Sequence, residues 1–104
     1  MTARYRLTPR ARAGFHRVAA YVEENFGGVV AERVVGDLER AFERLAKNPG
    51  AGHARVDLTR DPRVLFWPVG PTLIAYRPDP EGVQVLFVER GEVDWERIMR
   101  ESLE

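Results

Sequence analysis

With 104 residues, 44% of them hydrophobic and 31% charged, and with no net charge, the chain has the makeup of a single globular domain able to bury roughly 60–70% of its unfolded surface. The absence of cysteine excludes a disulfide framework and thiolate chemistry and fits a reducing compartment. No apolar run approaches the roughly 20 residues that cross a bilayer, and Met1-Thr2-Ala3-Arg4-Tyr5-Arg6 has no signal-peptide core, so a cytoplasmic protein is expected, without a membrane partner.

The elements follow in chain order. Arg4-Tyr5-Arg6-Leu7 alternates polar and apolar residues and predicts a short strand with one wet face. Thr8-Pro9 offers an N-cap and a proline at the first helical position, where its missing N–H costs nothing. Ala11, Phe15, Val18, Ala19, Val22 and Phe26 then recur at helical spacing until Gly27-Gly28. A second helix carries Ala31, Val34, Val35, Leu38, Ala41, Phe42 and Leu45 on one stripe and ends at Asn48-Pro49-Gly50. So short a link predicts an αα-hairpin with both apolar faces on a common core.

Residues 49–62 read as a loop rich in glycine, proline and charge. Three extended runs follow, Val64 to Val69, Thr72 to Arg77 and Val83 to Arg90, linked by Gly70-Pro71 and by Pro78-Asp79-Pro80-Glu81-Gly82. Their short links predict an antiparallel meander. Asp94 can cap a last helix carrying Trp95, Ile98, Met99 and Leu103. The order β-α-α-β-β-β-α predicts a single-domain α+β fold: a helical hairpin packed on a mainly antiparallel four-stranded sheet, with the helices on one face and a short C-terminal helix.

Charge is unevenly distributed. Residues 1–60 hold eleven basic side chains against seven acidic ones, and residues 61–104 hold five against nine. Lys47 is the only lysine, so arginine, whose fork pairs bidentately with carboxylates and phosphates, supplies nearly all the positive charge. Two histidines 37 positions apart, without cysteine, form no metal-ligand pattern, and no glycine-rich phosphate loop is present, so neither metal nor cofactor is expected.

The stretches YRLTPRARAGFHRVAAYVEENFG, AERVVGDLERAFERLAKNPGAGHAR, FWPVGPTLIAYRP and GVQVLFVERGEVDWERIM resemble, in order and spacing, the ParE branch of the RelE/ParE toxin superfamily. The resemblance implies a small bacterial toxin made with an antitoxin. ParE-branch members poison DNA gyrase, whereas RelE-branch members cut messenger RNA on the ribosome. The implied partners are therefore a ParD-like antitoxin and DNA gyrase, with no sequence-specific DNA binding by the toxin alone.

Cleavage of RNA needs a base at the 2′-hydroxyl, an acid at the leaving oxygen and cations at the phosphate. Arginine holds a phosphate but does not shuttle protons near neutrality. If the chain were a ribonuclease, its candidates would be His53, Arg55, Arg77 and Arg90. Lys47, at a helix C-terminus, is explained by the macrodipole. Many ParE-like sequences read His-Gly-Ala-Arg-Asp where this one has Arg90-Gly91-Glu92-Val93-Asp94, and no counterpart of the RelE-type tyrosine stands nearby. The first reading is therefore of a chain with no catalytic residues, acting by binding, and the alternative is a RelE-like ribosome-dependent endoribonuclease that cuts messenger RNA. Candidate partner-binding residues are Arg55, Arg63, Phe66, Trp67, Tyr76, Arg77 and Arg90, a mixture of cations and aromatics typical of binding hot spots. Phe66 and Trp67, being adjacent on a strand, must face opposite sides.

Overall fold

The computed structural model describes residues 4–103. Strand β1 (Arg4–Leu7) leads into helix α1 (Pro9–Phe26), followed by α2 (Gly28–Lys47), a short 3-10 turn at Pro49–Ala51, strands β2 (Leu65–Val69), β3 (Thr72–Asp79) and β4 (Gly82–Arg90), and helix α3 (Trp95–Leu103). The sheet runs β1-β4-β3-β2, with β2-β3-β4 an antiparallel meander and β1 added parallel to β4.

Local chemistry accounts for the breaks. Gly27 alone separates α1 from α2; its φ of 91° is one that side-chain-bearing residues rarely adopt, and it lets the chain reverse at once. Thr8 caps α1 by accepting a hydrogen bond from the Ala11 N–H at 3.0 Å. Asp94 plays the same part for α3, accepting from the Arg97 N–H at 3.1 Å. Pro78 falls inside β3 rather than in the loop predicted from its sequence. It is tolerated because β2 begins opposite Tyr76, so the nitrogen of Pro78 points where no strand pairs.

The core has two parts on opposite sides of the sheet. Ala11, Val18, Leu38, Phe42 and Leu45 of the hairpin pack on Ile74, Tyr76, Val83, Val85 and Val88. Trp95 and Met99 of α3 pack on Phe66, Ala75 and Phe87. The expectation that all helices share one face therefore fails for α3. Strand alternation sends Phe66, Ala75 and Phe87 away from the hairpin, and only α3 is there to bury them. Gly14 marks a close approach of α1 to β4, since a Cβ there would collide with the Val88 carbonyl oxygen.

One irregularity sets which β4 residues face which layer. The β3–β4 register shifts between Ala75 and Tyr76: Tyr76 pairs with Val85, whereas Ala75 pairs with Phe87, leaving Leu86 as an extra residue. The Leu86 carbonyl accepts a hydrogen bond from the Thr8 hydroxyl at 3.1 Å, and the Thr8 N–H donates to the Val85 carbonyl at 3.0 Å. Replacing Thr8 by alanine removes the cap and the bond to the bulge together. Thr8→Ala is expected to lose about 1–2 kcal/mol of stability in urea unfolding, while Thr8→Ser retains most of it.

Candidate functional site

The face carrying α3 is lined, beyond that helix, by polar side chains from three strands. Arg6 of β1 stands in register with Gln84 of β4, which is in register with Arg77 of β3. The Arg77 Nη2 donates to Gln84 Oε1 at 2.8 Å, and the Arg6 Nη2 donates to Asp79 Oδ2 at 3.1 Å. Beside this row the loop before β2 holds Asp61, bonded through both oxygens to the Arg63 guanidinium at 3.0 and 2.9 Å. The Arg63 side-chain bond, then its backbone N–H, and last the more distant charge of Arg77 hold the Asp61 carboxyl down at about 2. Arg6, Arg63 and Arg77 thus lie around one open end of the sheet, with Asp61 and Asp79 between them. Such an arrangement binds phosphate or carboxylate oxygens through fork-shaped donors and offers no group that titrates near neutrality.

The remaining candidates are dispersed. Phe66 and Tyr76 are 1% and 0% exposed, so neither presents a surface to a partner. The Tyr76 hydroxyl donates to the Pro49 carbonyl at 2.7 Å and accepts from the Gly52 N–H at 2.8 Å, tying the 49–52 turn to the sheet. Burial raises its phenol above the ordinary value and keeps it neutral. Trp67 lies on the hairpin side, opposite to Phe66 as the alternation requires. Its ring is flanked by His53, parallel within 9° at 6.3 Å, and by the Arg44 guanidinium at 5.4 Å. Arg55 is turned onto Asp57 through bonds of 2.9 and 2.8 Å, and the bond from Arg55 lowers that carboxyl. Arg90 lies 3.9 Å over the Tyr21 ring and bonds Glu92 at 2.6 Å, opening onto an apolar groove between the C-terminal part of α1, Val34 and the β2–β3 turn.

The structure therefore brings Arg63 and Arg77 together and separates both from Arg90, which is paired with Thr72 at the other end of β3. Sequence reading missed Arg6 and Gln84 at the site, because their place depends on β1 pairing with a strand 78 positions away in sequence, Arg4 with Gly82. It also missed Arg44 and Tyr21, for which a helical stripe carries no signal. Among the described residues no group of His, Asp or Glu side chains is placed to hold a metal ion. Among the described residues no helix is long and apolar enough to cross a membrane.

A helical hairpin backed by a mixed four-stranded sheet places the chain in a class of small α+β folds. A solved chain described as the chromosomal ParDE TA system from P. aeruginosa shares it, with a TM-score of 0.71 and 21% sequence identity, covering 88% of this chain and 98% of that one. A family profile described as the ParE toxin of the type II toxin-antitoxin system, parDE, matches residues 5–95. The chain belongs to the ParE toxin family. No curated protein sequence matches it.

Two outcomes follow from the site's geometry. Tyr76→Phe leaves the Gly52 N–H and the Pro49 carbonyl without their partner and is expected to cost about 1–3 kcal/mol, with faster hydrogen exchange at the Gly52 amide. The Asp61 carboxyl falls from an ordinary 3.8 to about 2 in the folded chain, so its pairing stabilises the fold fully above the ordinary value and is lost as pH falls toward 2. Asp61→Asn should accordingly flatten the loss of stability between roughly pH 4 and pH 2, followed by denaturant unfolding at several pH values.

Proposed function

We propose that this ParE-family toxin acts without catalysis, by binding DNA gyrase through the arginine-lined end of the sheet, and that a ParD-type antitoxin neutralises it. The family match over residues 5–95 supports the toxin role. The observation that carries the non-enzymatic reading is the distribution of titratable groups. His53 stacks on Trp67 and His16 lies beside Phe15, both on the hairpin side, and Lys47 is at the end of α2. Arg6 and Arg77 point to the opposite face, among Gln84 and Asp79. A 2′-hydroxyl held at the arginine row would meet forks that neutralise a phosphate and, as proton acceptors, the Asp61 and Asp79 carboxylates, which their arginine partners lower and so make weak bases. The same row suits an acidic protein surface or the phosphates of gyrase-bound DNA.

Induction in a bacterial host is expected to trigger the DNA-damage response and filamentation, with gyrase trapped on cleaved DNA. Rapid arrest of translation with transcripts cut at codons would instead establish the ribonuclease reading. Arg77→Ala, which removes one guanidinium and leaves the core intact, should weaken gyrase binding about tenfold, equivalent to roughly 1.4 kcal/mol. The variant's circular dichroism and urea midpoint should match those of the parent. An unchanged affinity would move the gyrase surface away from this row.

A further inference from the structure

Between the helical hairpin and the sheet, where the end of α1 and Val34 of α2 pass over the β2–β3 turn, lies a cavity of about 310 Å³. That volume is at the small end of the range of ligand pockets. Its walls are Val18, Val22 and Phe26 of α1, Val34 of α2 and Val69 of β2. Phe26 is one of the large apolar side chains that the fold leaves exposed, so the apolar lining continues out to the mouth.

Two polar groups interrupt this lining on the side of the sheet. Thr72 of β3 and Arg90 of β4 stand directly opposite each other in the register, two places from the Ile74–Val88 pair. Ile74 and Val88 belong to the hairpin core, so strand alternation turns Thr72 and Arg90 toward the hairpin as well. Both border the cavity. Thr72 is only 3% exposed. The hydroxyls of Thr8 and Thr59 are hydrogen-bonded, whereas that of Thr72 meets no partner among the described residues. A buried hydroxyl without a partner is costly and calls for a reason. Beside it, the Tyr21 ring under the Arg90 guanidinium holds that fork at the cavity.

The rim also carries two carboxylates, Glu92 and Asp37, which bond to Arg90 and Arg40. Their side chains are 68% and 49% exposed, against 34% for Arg90. The charge least screened by solvent at the cavity is therefore the cation.

We infer that this cavity binds a small carboxylate with an apolar body, such as a medium-chain fatty acid or an arylalkanoate. Facing side chains of a strand pair leave the backbone about 4.5–5.5 Å apart, a span that one carboxylate bridges. One of its oxygens accepts from the Thr72 hydroxyl and the other from the Arg90 guanidinium, while the apolar body lies among Val22, Phe26 and Val34. Glu92, the more exposed partner, yields its place on Arg90 to the ligand. An alcohol of the same length forms no ion pair there, and an ammonium meets the charge of Arg90. The site lies on the hairpin face, away from the Arg6–Arg77 row, and stands whatever the toxin's target.

Titration of the isotopically labelled toxin with octanoate, followed by amide chemical shifts, tests it. Octanoate should bind with a dissociation constant on the order of 0.1 mM and move the amides of Val22, Val34, Thr72 and Arg90. Octanol and octylammonium should bind at least tenfold more weakly. Thr72→Val keeps the shape and removes the hydroxyl, and Arg90→Gln removes the charge; each should weaken octanoate about tenfold. Arg90→Gln should leave the weak binding of octanol unchanged, which keeps the test readable if Thr72→Val fails to fold. Octanol binding as tightly as octanoate reduces the cavity to an apolar surface and overturns the inference. A preference for octylammonium overturns it too, by giving the site to the rim carboxylates. An octanoate affinity unmoved by either substitution places the ligand elsewhere. If octanoate leaves these amides unmoved while the ParD-type antitoxin or a second copy of the toxin covers them, the groove is a protein interface and the inference falls. None of these outcomes touches the toxin–antitoxin reading.

Discussion

The Thr8 hydroxyl accepts the Ala11 N–H that starts α1 and donates to the Leu86 carbonyl that the β4 bulge leaves outside the regular ladder. The same residue's N–H closes the β1–β4 pairing. A single small side chain thus joins the first strand, the first helix and the central strand at the point where strand alternation is reset. Because of that reset, Val83, Val85 and Val88 all face the hairpin, although two and then three positions separate them. Phe87 turns to the other layer, where Trp95 stands edge-on to its ring at 6.3 Å. An unbroken ladder would carry Val88 out of the hairpin core and disrupt both layers together.

The two-sided sheet also sorts the chemistry. Both imidazoles collect on the hairpin side, each beside an aromatic ring: His53 with Trp67 and His16 with Phe15. The other face, past α3, carries arginine forks held by Gln84, Asp79 and Asp61. The Asp79 carboxyl, like Asp61, is lowered by its arginine partner, so the row remains ionised throughout the neutral range. Exposed pairs of this kind add little to stability. Their significance is positional, since they hold long side chains in fixed orientations on a rigid strand surface.

The two edges of the sheet differ as well. His53 and Pro68 block one end of the sheet with a backbone bridge and a missing donor. The turn before His53 is anchored by the buried Tyr76 hydroxyl, which links Pro49 and Gly52 to the middle of β3. The aromatic in the centre of the sheet is thus a structural clamp for the loop that guards the edge, and at the opposite edge β1 pairs, among the described residues, with β4 alone.

Much of the fold was legible in the chain, because the signals are local. Thr8-Pro9, Gly27-Gly28 and Asn48-Pro49-Gly50 punctuate two helices whose stripes repeat at helical spacing, and short links dictate both the hairpin and the meander. The adjacency of Phe66 and Trp67 alone required that they face opposite layers, which they do. The candidate site was legible only in part: arginine was recognised as its main chemistry, and Arg63 and Arg77 do lie together. Tertiary structure alone decided that Arg6 and Gln84 complete the row, that Arg90 stands apart over Tyr21, and that Phe66 and Tyr76 are core. It also decided that α3 covers the second face. The physical reason is the same in each case. These outcomes depend on pairings between residues far apart in the chain and on a one-residue bulge, and a local pattern of apolar and polar residues has no access to either.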